Sequence, residues 1–248
     1  MFEKEQKIFQ NLTIFSKSQN KEEKEEEIID FSFRIKAIQK IDTICSKLNF
    51  QNETFFFAVY YLDKMISSLP LTLKNQSDFA IIACVSIAGK VYEEEVPSIS
   101  CFQMFFPKYH KKSKSYNQIS NLEVELIKII DSFIPTTVNS FLEYFLSRVS
   151  NFLQVNKEKK EIFIFQNEKN QFIVQDDDIY TKMIKLIKIV IKNPISVNFF
   201  PSEIAASILS IYFPDDDLII FVTGYSIKQL EECRNLFNLY NNNLDFKF

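Results

Sequence analysis

Asn52-Glu53-Thr54-Phe55-Phe56-Phe57-Ala58-Val59-Tyr60-Tyr61-Leu62-Asp63-Lys64 is the stretch on which the fold turns. Its apolar residues keep a helical period, with Phe55, Val59, Leu62 and Ile66 returning to one face every three or four residues. Immediately upstream, from Phe33, a second face forms from Ile38, Ile41, Cys45 and Leu48. Two amphipathic helices joined across Asn49–Glu53 are therefore expected. Downstream, Asp78–Val91 is apolar almost all round, and Ala80, Ala83, Ser86, Ala88 and Gly89 offer small surfaces on which other helices approach closely. That segment predicts the central helix of a bundle.

Further out, a short helix is expected over Ser98–Phe106, then a polar, basic loop over Pro107–Asn117. A fifth helix follows, with Ile119, Leu122, Leu126, Ile129 and Ile130 inward and Phe133-Ile134 closing it before Pro135. Residues 1–32 are expected to form a helical extension, whose run Lys21-Glu22-Glu23-Lys24-Glu25-Glu26-Glu27 sets opposite charges three or four apart, as a solvated helix does. The second half repeats the pattern: helices over Thr136–Ser150 and Asp176–Asn193, a small-residue helix beginning Pro201-Ser202-Glu203-Ile204-Ala205-Ala206-Ser207, and a last helix marked by Leu230, Cys233, Phe237 and Tyr240. Recurrence of an alanine-containing central helix points to two similar lobes in tandem. One segment breaks the pattern. Glu161–Gln175 reads Ile-Phe-Ile-Phe, a polar turn, then Phe-Ile-Val, the composition of a two-stranded hairpin. The expected fold is all-α, with five-helix lobes at 33–134 and 135–248 and a β-hairpin insertion at 157–175 in the second.

Composition narrows the function. A chain of 248 residues, 46% apolar, can bury one large core or two smaller ones. With 29 basic and 32 acidic side chains it has no surplus of cations to neutralise phosphates, so nucleic acid is not an expected partner. The longest apolar or small-residue run, Phe79–Gly89, falls short of the roughly 20 residues that span a bilayer. The opening Met1-Phe2-Glu3-Lys4 lacks a signal-peptide pattern, so nucleus or cytoplasm is the expected place, with no membrane partner. Cys45, Cys84, Cys101 and Cys233 have no metal-like spacing, and three of them sit in helical apolar stripes, as reduced buried thiols do. Two glycines, Gly89 and Gly224, cannot build a phosphate-cradling loop, and the one histidine, His110, leaves no His-based triad or zinc cluster. No cofactor, metal or small-molecule substrate is expected, and the chain is read as non-catalytic.

Asn52–Lys64 resembles the second helix of the cyclin box, most like that of the mitotic A/B-type cyclins. Without a gap, Arg34 falls where that family places its helix-one arginine, and Ile87-Ala88-Gly89-Lys90 resembles the end of helix three. Leu122-Glu123-Val124-Glu125-Leu126-Ile127 resembles helix five, while Pro201–Ala206 and Thr223-Gly224-Tyr225-Ser226, with Leu230 and Cys233, resemble the C-terminal cyclin fold. The resemblance spans about residues 33–242. It implies a regulatory subunit that binds and activates a cyclin-dependent serine/threonine kinase in cell-cycle control. It further implies a buried ion pair between Arg34 and Asp63. Lys90 and Glu123 match the pair that grips the kinase near its mobile regulatory helix, with Ile127, Phe133 and Ile134 near the apolar contact. On pattern alone Lys90 is a cation at a helix C-terminus and Glu123 a solvated face residue.

The chain departs from the family on its first helix. The groove that takes Arg-x-Leu motifs contains a tryptophan, whereas here the position is Lys40, flanked by Phe33, Lys36 and Ala37, in a chain without tryptophan. Such motifs are expected to bind weakly or not at all. A cyclin-fold scaffold that does not activate a kinase stays open as a second reading. A transcription-initiation factor on the same fold would require a basic surface and commonly a zinc ribbon, and the sequence has neither.

Overall fold

The computed structural model describes residues 31–106, 114–130, 135–158 and 177–241, and among these every regular element is a helix. The hairpin expected at 161–175 and residues 1–30 of the extension lie outside the described residues. The chain forms two compact units, one reaching Thr137 and also holding Lys192–Asn198, the other made of Val138–Ile191 and the chain from Phe199 onward.

In the first unit the helices are α1 (Phe31–Lys47), α2 (Asn52–Ser68), α3 (Pro70–Tyr92), α4 (Ile99–Gln103) and α5 (Lys114–Ile130). The apolar density of α2 exceeds one face: Glu53 to Val59 are all buried, then Tyr61, Leu62 and Met65. This helix is accordingly enclosed by α1, α3 and α5. Each fully buried phenylalanine, such as Phe55 and Phe57, contributes about 1.5–3 kcal/mol of transfer free energy. The helix α3 is kinked at Gln76, where φ is −134° and ψ 35°, and its straight second part buries Phe79 to Ala88 against α2 and α5. At Gly89 an added Cβ would meet Val96 at 3.5 Å and Phe50 at 3.6 Å, ordinary contact distances, so the close approach expected there does not require glycine. One boundary of this unit differs from expectation. The loop read as reaching Asn117 gives way to helix at Lys114, because a first turn reading Lys-Ser-Tyr-Asn carries no aliphatic period; Asn117 itself is exposed.

The second unit contains α6 (Val138–Glu158), α7 (Asp177–Val190), α8 (Pro201–Tyr212), α9 (Asp216–Thr223) and α10 (Glu231–Asn241). The small-residue helix α8 is central, with Ser202 and Ile204 to Ser210 buried and α6, α7, α9 and α10 packed around it. Its first turn is held by Glu203, whose carboxylate accepts from the Phe200 N–H at 2.8 Å; burial raises the carboxyl's pKa. The helix α9, not individually assigned from sequence, starts where the Asp215 carboxylate accepts from the Leu218 N–H at 2.9 Å. It ends at Gly224, in the left-handed region at φ 81°. Cys45, Cys84 and Cys233 are buried and none of the four cysteines forms a disulfide, with burial pushing the Cys233 thiol up to about 12 and Cys84 also upward. Such thiols are unreactive at neutral pH. Between α7 and α8, Pro194–Asn198 forms a 3₁₀ turn that belongs to the first unit and packs on α1.

Candidate functional site

The first unit is tied together by Arg34 of α1 and Asp63 of α2. Arg34 Nε donates to Asp63 Oδ1 at 2.7 Å and Nη2 to Oδ2 at 2.9 Å, a two-pronged pair whose side chains are 7% and 16% exposed. Parallel N–H bonds from a planar guanidinium fix both helices in angle as well as distance.

A second pair joins α3 to α5. Lys90, in the last turn of α3, donates from Nζ to Glu123 Oε1 of α5 at 2.7 Å. The two are unequal: the lysine side chain is 51% exposed and the glutamate 10%. Glu123 is thus not the solvated residue its pattern suggests; it lies in the seam between α3 and α5 under the lysine. One turn further along α5, Ile127 is exposed, and at about 100° per residue Tyr116, Glu123, Ile127 and Ile130 fall on one stripe. Tyr116, Val124, Ile127 and, next to Lys90, Val91 are all large apolar residues left exposed. Charge and apolar surface therefore meet at the α3–α5 edge. Phe133 and Ile134, expected to extend this surface, lie outside the described residues.

Two anchors around this edge escaped the sequence reading. Glu93, just past α3, accepts at Oε1 from the Gln51 N–H at 2.8 Å and from the Thr54 hydroxyl, so it caps the start of α2, where Gln51 makes no side-chain cap bond of its own. Glu53, buried, accepts from the Thr137 hydroxyl at 2.6 Å. Both read as surface acids in a linear sequence, because the partner is 84 residues away in one case and 42 in the other.

On α1 the expected groove positions separate. Ala37 is buried and does not reach the surface, Phe33 is half-buried, and Lys36 and Lys40 are exposed. Lys40 pairs with Asp78 at 2.6 Å and sits 5.2 Å from the centre of the Phe106 ring. No acid–base or nucleophilic constellation is assembled by these residues; they hold helices and present charge. Among the described residues no three potential metal-ligating side chains gather, and no helix is long and apolar enough to cross a membrane.

Comparison with known proteins agrees with this architecture. The model of the cyclin N-terminal domain matches residues 1–134. Cyclin-D4-2 of Arabidopsis thaliana is 25% identical over 211 residues, covering 84% of this chain and 64% of its own length. Cyclin-D3-3 of the same plant is 30% identical over 132 residues, 50% of this chain and 36% of the relative. G1/S-specific cyclin-E1 of Danio rerio is 24% identical over 191 residues, 77% and 42% respectively. The chain thus spans less than two-thirds of the length of these curated relatives. They are D- and E-type, and the expected likeness to mitotic A/B-type cyclins finds no support among them. A solved viral cyclin from herpesvirus saimiri superposes with a TM-score of 0.57 at 14% identity, over 94% of this chain and 99% of the viral one, which is a likeness of fold. With an all-helical tandem fold and a family match over more than half its length, this chain belongs to the cyclin family.

Proposed function

We propose that this chain is a non-catalytic regulatory subunit that binds a cyclin-dependent serine/threonine kinase through the α3–α5 edge and switches it on. The observation that carries the reading is the Lys90–Glu123 pair, 2.7 Å long, standing beside exposed Ile127. An inactive kinase of this kind lacks an internal Lys–Glu ion pair because the helix bearing the glutamate is rotated outward. A rigid helical surface that binds the inward position better shifts the population towards activity. Charged groups at the rim of an apolar contact fix orientation, and exposed Val91, Val124 and Ile127 provide the apolar part. Residues 33–134 would act as the N-terminal cyclin box and 135–248 as the C-terminal lobe. The D- and E-type relatives, one named G1/S-specific, favour a role in cell-cycle control, in nucleus or cytoplasm.

The test pairs stability with affinity. Lys90→Ala leaves the largely buried Glu123 carboxylate without its lysine and is expected to lower the melting temperature, and, measured well below that temperature, to weaken kinase binding by about 2–5 kcal/mol. Because Glu123 is buried, Glu123→Gln is its better counterpart, and the same loss of affinity is expected. Kinase activity towards a peptide substrate is then measured with each variant at equal occupancy. Wild-type affinity in both variants would refute the assignment of this edge, and binding without any gain in kinase activity would leave the scaffold reading as the correct one.

A further inference from the structure

In the second unit, α6 and α9 meet in an exposed patch built around a cation. Tyr144, Arg148 and Phe152 stand four residues apart on α6, which at about 100° per residue keeps them within about 80° of one another along about 12 Å of helix. Phe221 of α9 closes on them. Its ring lies 5.1 Å from that of Phe152 and 5.4 Å from the Arg148 guanidinium carbon, and the Tyr144 ring lies 5.9 Å from the same carbon, measured to ring centres. Arg148 Nη2 donates to the Phe221 carbonyl at 2.7 Å, where a cation suits the C-terminal end of α9. That bond is structural, and it leaves most of the donors of the guanidinium fork for something else. No acid among the described residues forms an ion pair with Arg148. Glu143 accepts from Asn139 and Tyr180, and Asp216 accepts from the Ile227 N–H at 2.7 Å. The rings around the cation are open to solvent: Tyr144 is 56% exposed and Phe221 55%, with Ile220 beside it at 45%.

We propose that this patch docks an extended segment of a partner protein with the pattern apolar-x-acidic-x-apolar, its carboxylate on Arg148 and its apolar side chains on Tyr144 at one end and on Phe152 and Phe221 at the other. The dimensions select the pattern. Alternate residues of an extended chain face one side, and four steps at roughly 3.3 Å cover about 13 Å, against the about 12 Å from Tyr144 to Phe152. A central carboxylate therefore meets the central cation. Charge selects the acid: a guanidinium already held between two rings presents its remaining N–H edge in a fixed direction, which a planar carboxylate matches with two parallel bonds. Tyrosine, phenylalanine and arginine together are also the side chains enriched where proteins hold one another. A basic segment is repelled by Arg148, and a purely acidic one leaves the rings uncovered.

The experiment uses the full chain and the fluorescent peptide Ser-Leu-Ser-Asp-Ser-Phe-Ser in anisotropy titrations, beside one version with Asp changed to Asn and another with Leu and Phe changed to Ser. Both altered peptides are expected to bind roughly tenfold more weakly or worse. Arg148→Gln is expected to weaken the parent peptide by a similar factor and to abolish the preference for Asp over Asn, a readout that a merely structural role would not move. Should Arg148→Gln lower the melting temperature, Tyr144→Ser and Phe221→Ser, changes at exposed rings, are expected to weaken binding while keeping that preference. Lys36→Gln in the first unit is the unaffected control. Equal binding of the Asp and Asn peptides by the wild type, or an undiminished preference in Arg148→Gln, would overturn the proposal. Equal binding of the peptide without Leu and Phe would also overturn it, making the patch a general anion surface. So would a dimer of the full chain that Phe221→Ser converts to monomer, since the occupant would then be a second copy. None of these readouts involves a kinase, so the outcome is separate from that of the α3–α5 edge.

Discussion

Arg34 shows what one side chain does for this fold. Its guanidinium is almost wholly buried against Asp63, so Arg34→Ala strands a largely buried carboxylate. The expected cost is about 3–5 kcal/mol, measured as a fall in the urea midpoint with little change in slope. Replacing both partners, Arg34→Met with Asp63→Leu, is expected to recover most of it, because the uncompensated charge is then gone. Nothing in the residues between these partners announces the pair, which spans 29 positions; only the family pattern made it legible. Glu123 teaches the complementary lesson. Read by its own helix it looks solvated, since the lysine that covers it stands on a different helix 33 residues earlier. Glu93 was illegible for the same reason: an acidic run reads as surface, and the helix start it caps lies elsewhere in the chain.

At the scale of elements, the two glycines should behave in opposite ways. Gly89 is helical with room for a methyl group, so Gly89→Ala is expected to be neutral or to stabilise by up to about 1 kcal/mol. Gly224 closes α9 at φ 81°, where a Cβ is strained, and Gly224→Ala should cost about 1–2 kcal/mol although nothing lies within 4 Å of the added atom. Thermal melts of the two variants side by side check both signs. Helices with dense apolar periods, α1 to α3 and α8, were legible because burial leaves a period in the sequence. The start of α5 and the far end of α6, which runs to Glu158 rather than stopping near Ser150, were not. The short α9 was missed because Phe213-Pro214-Asp215-Asp216-Asp217 reads as a turn, and eight residues give barely two turns of period.

At the scale of the whole chain, residues far apart in sequence share one unit. Lys192 reaches Asp42 at 3.0 Å across 150 positions, and the 3₁₀ turn after it packs on α1. Both side chains are about a quarter exposed, so a double-mutant cycle with Asp42→Ala and Lys192→Ala should give a coupling below about 1 kcal/mol that shrinks as salt is added. The division into two helical halves was legible from the recurrence of the small-residue helix; this crossing of the boundary was not, because it rests on one lysine and a five-residue turn. The end of α3 carries a last consequence. Lys90 is fastened to α5 through Glu123, and three residues on Glu93 is fastened to the start of α2. A free lysine side chain holds up to about 2 kcal/mol of rotational entropy, and much of that freedom is already given up when this unit folds. Anything that lands on this corner meets side chains that are already still, so its rate of capture is set by diffusion and orientation rather than by waiting for the surface to arrange itself.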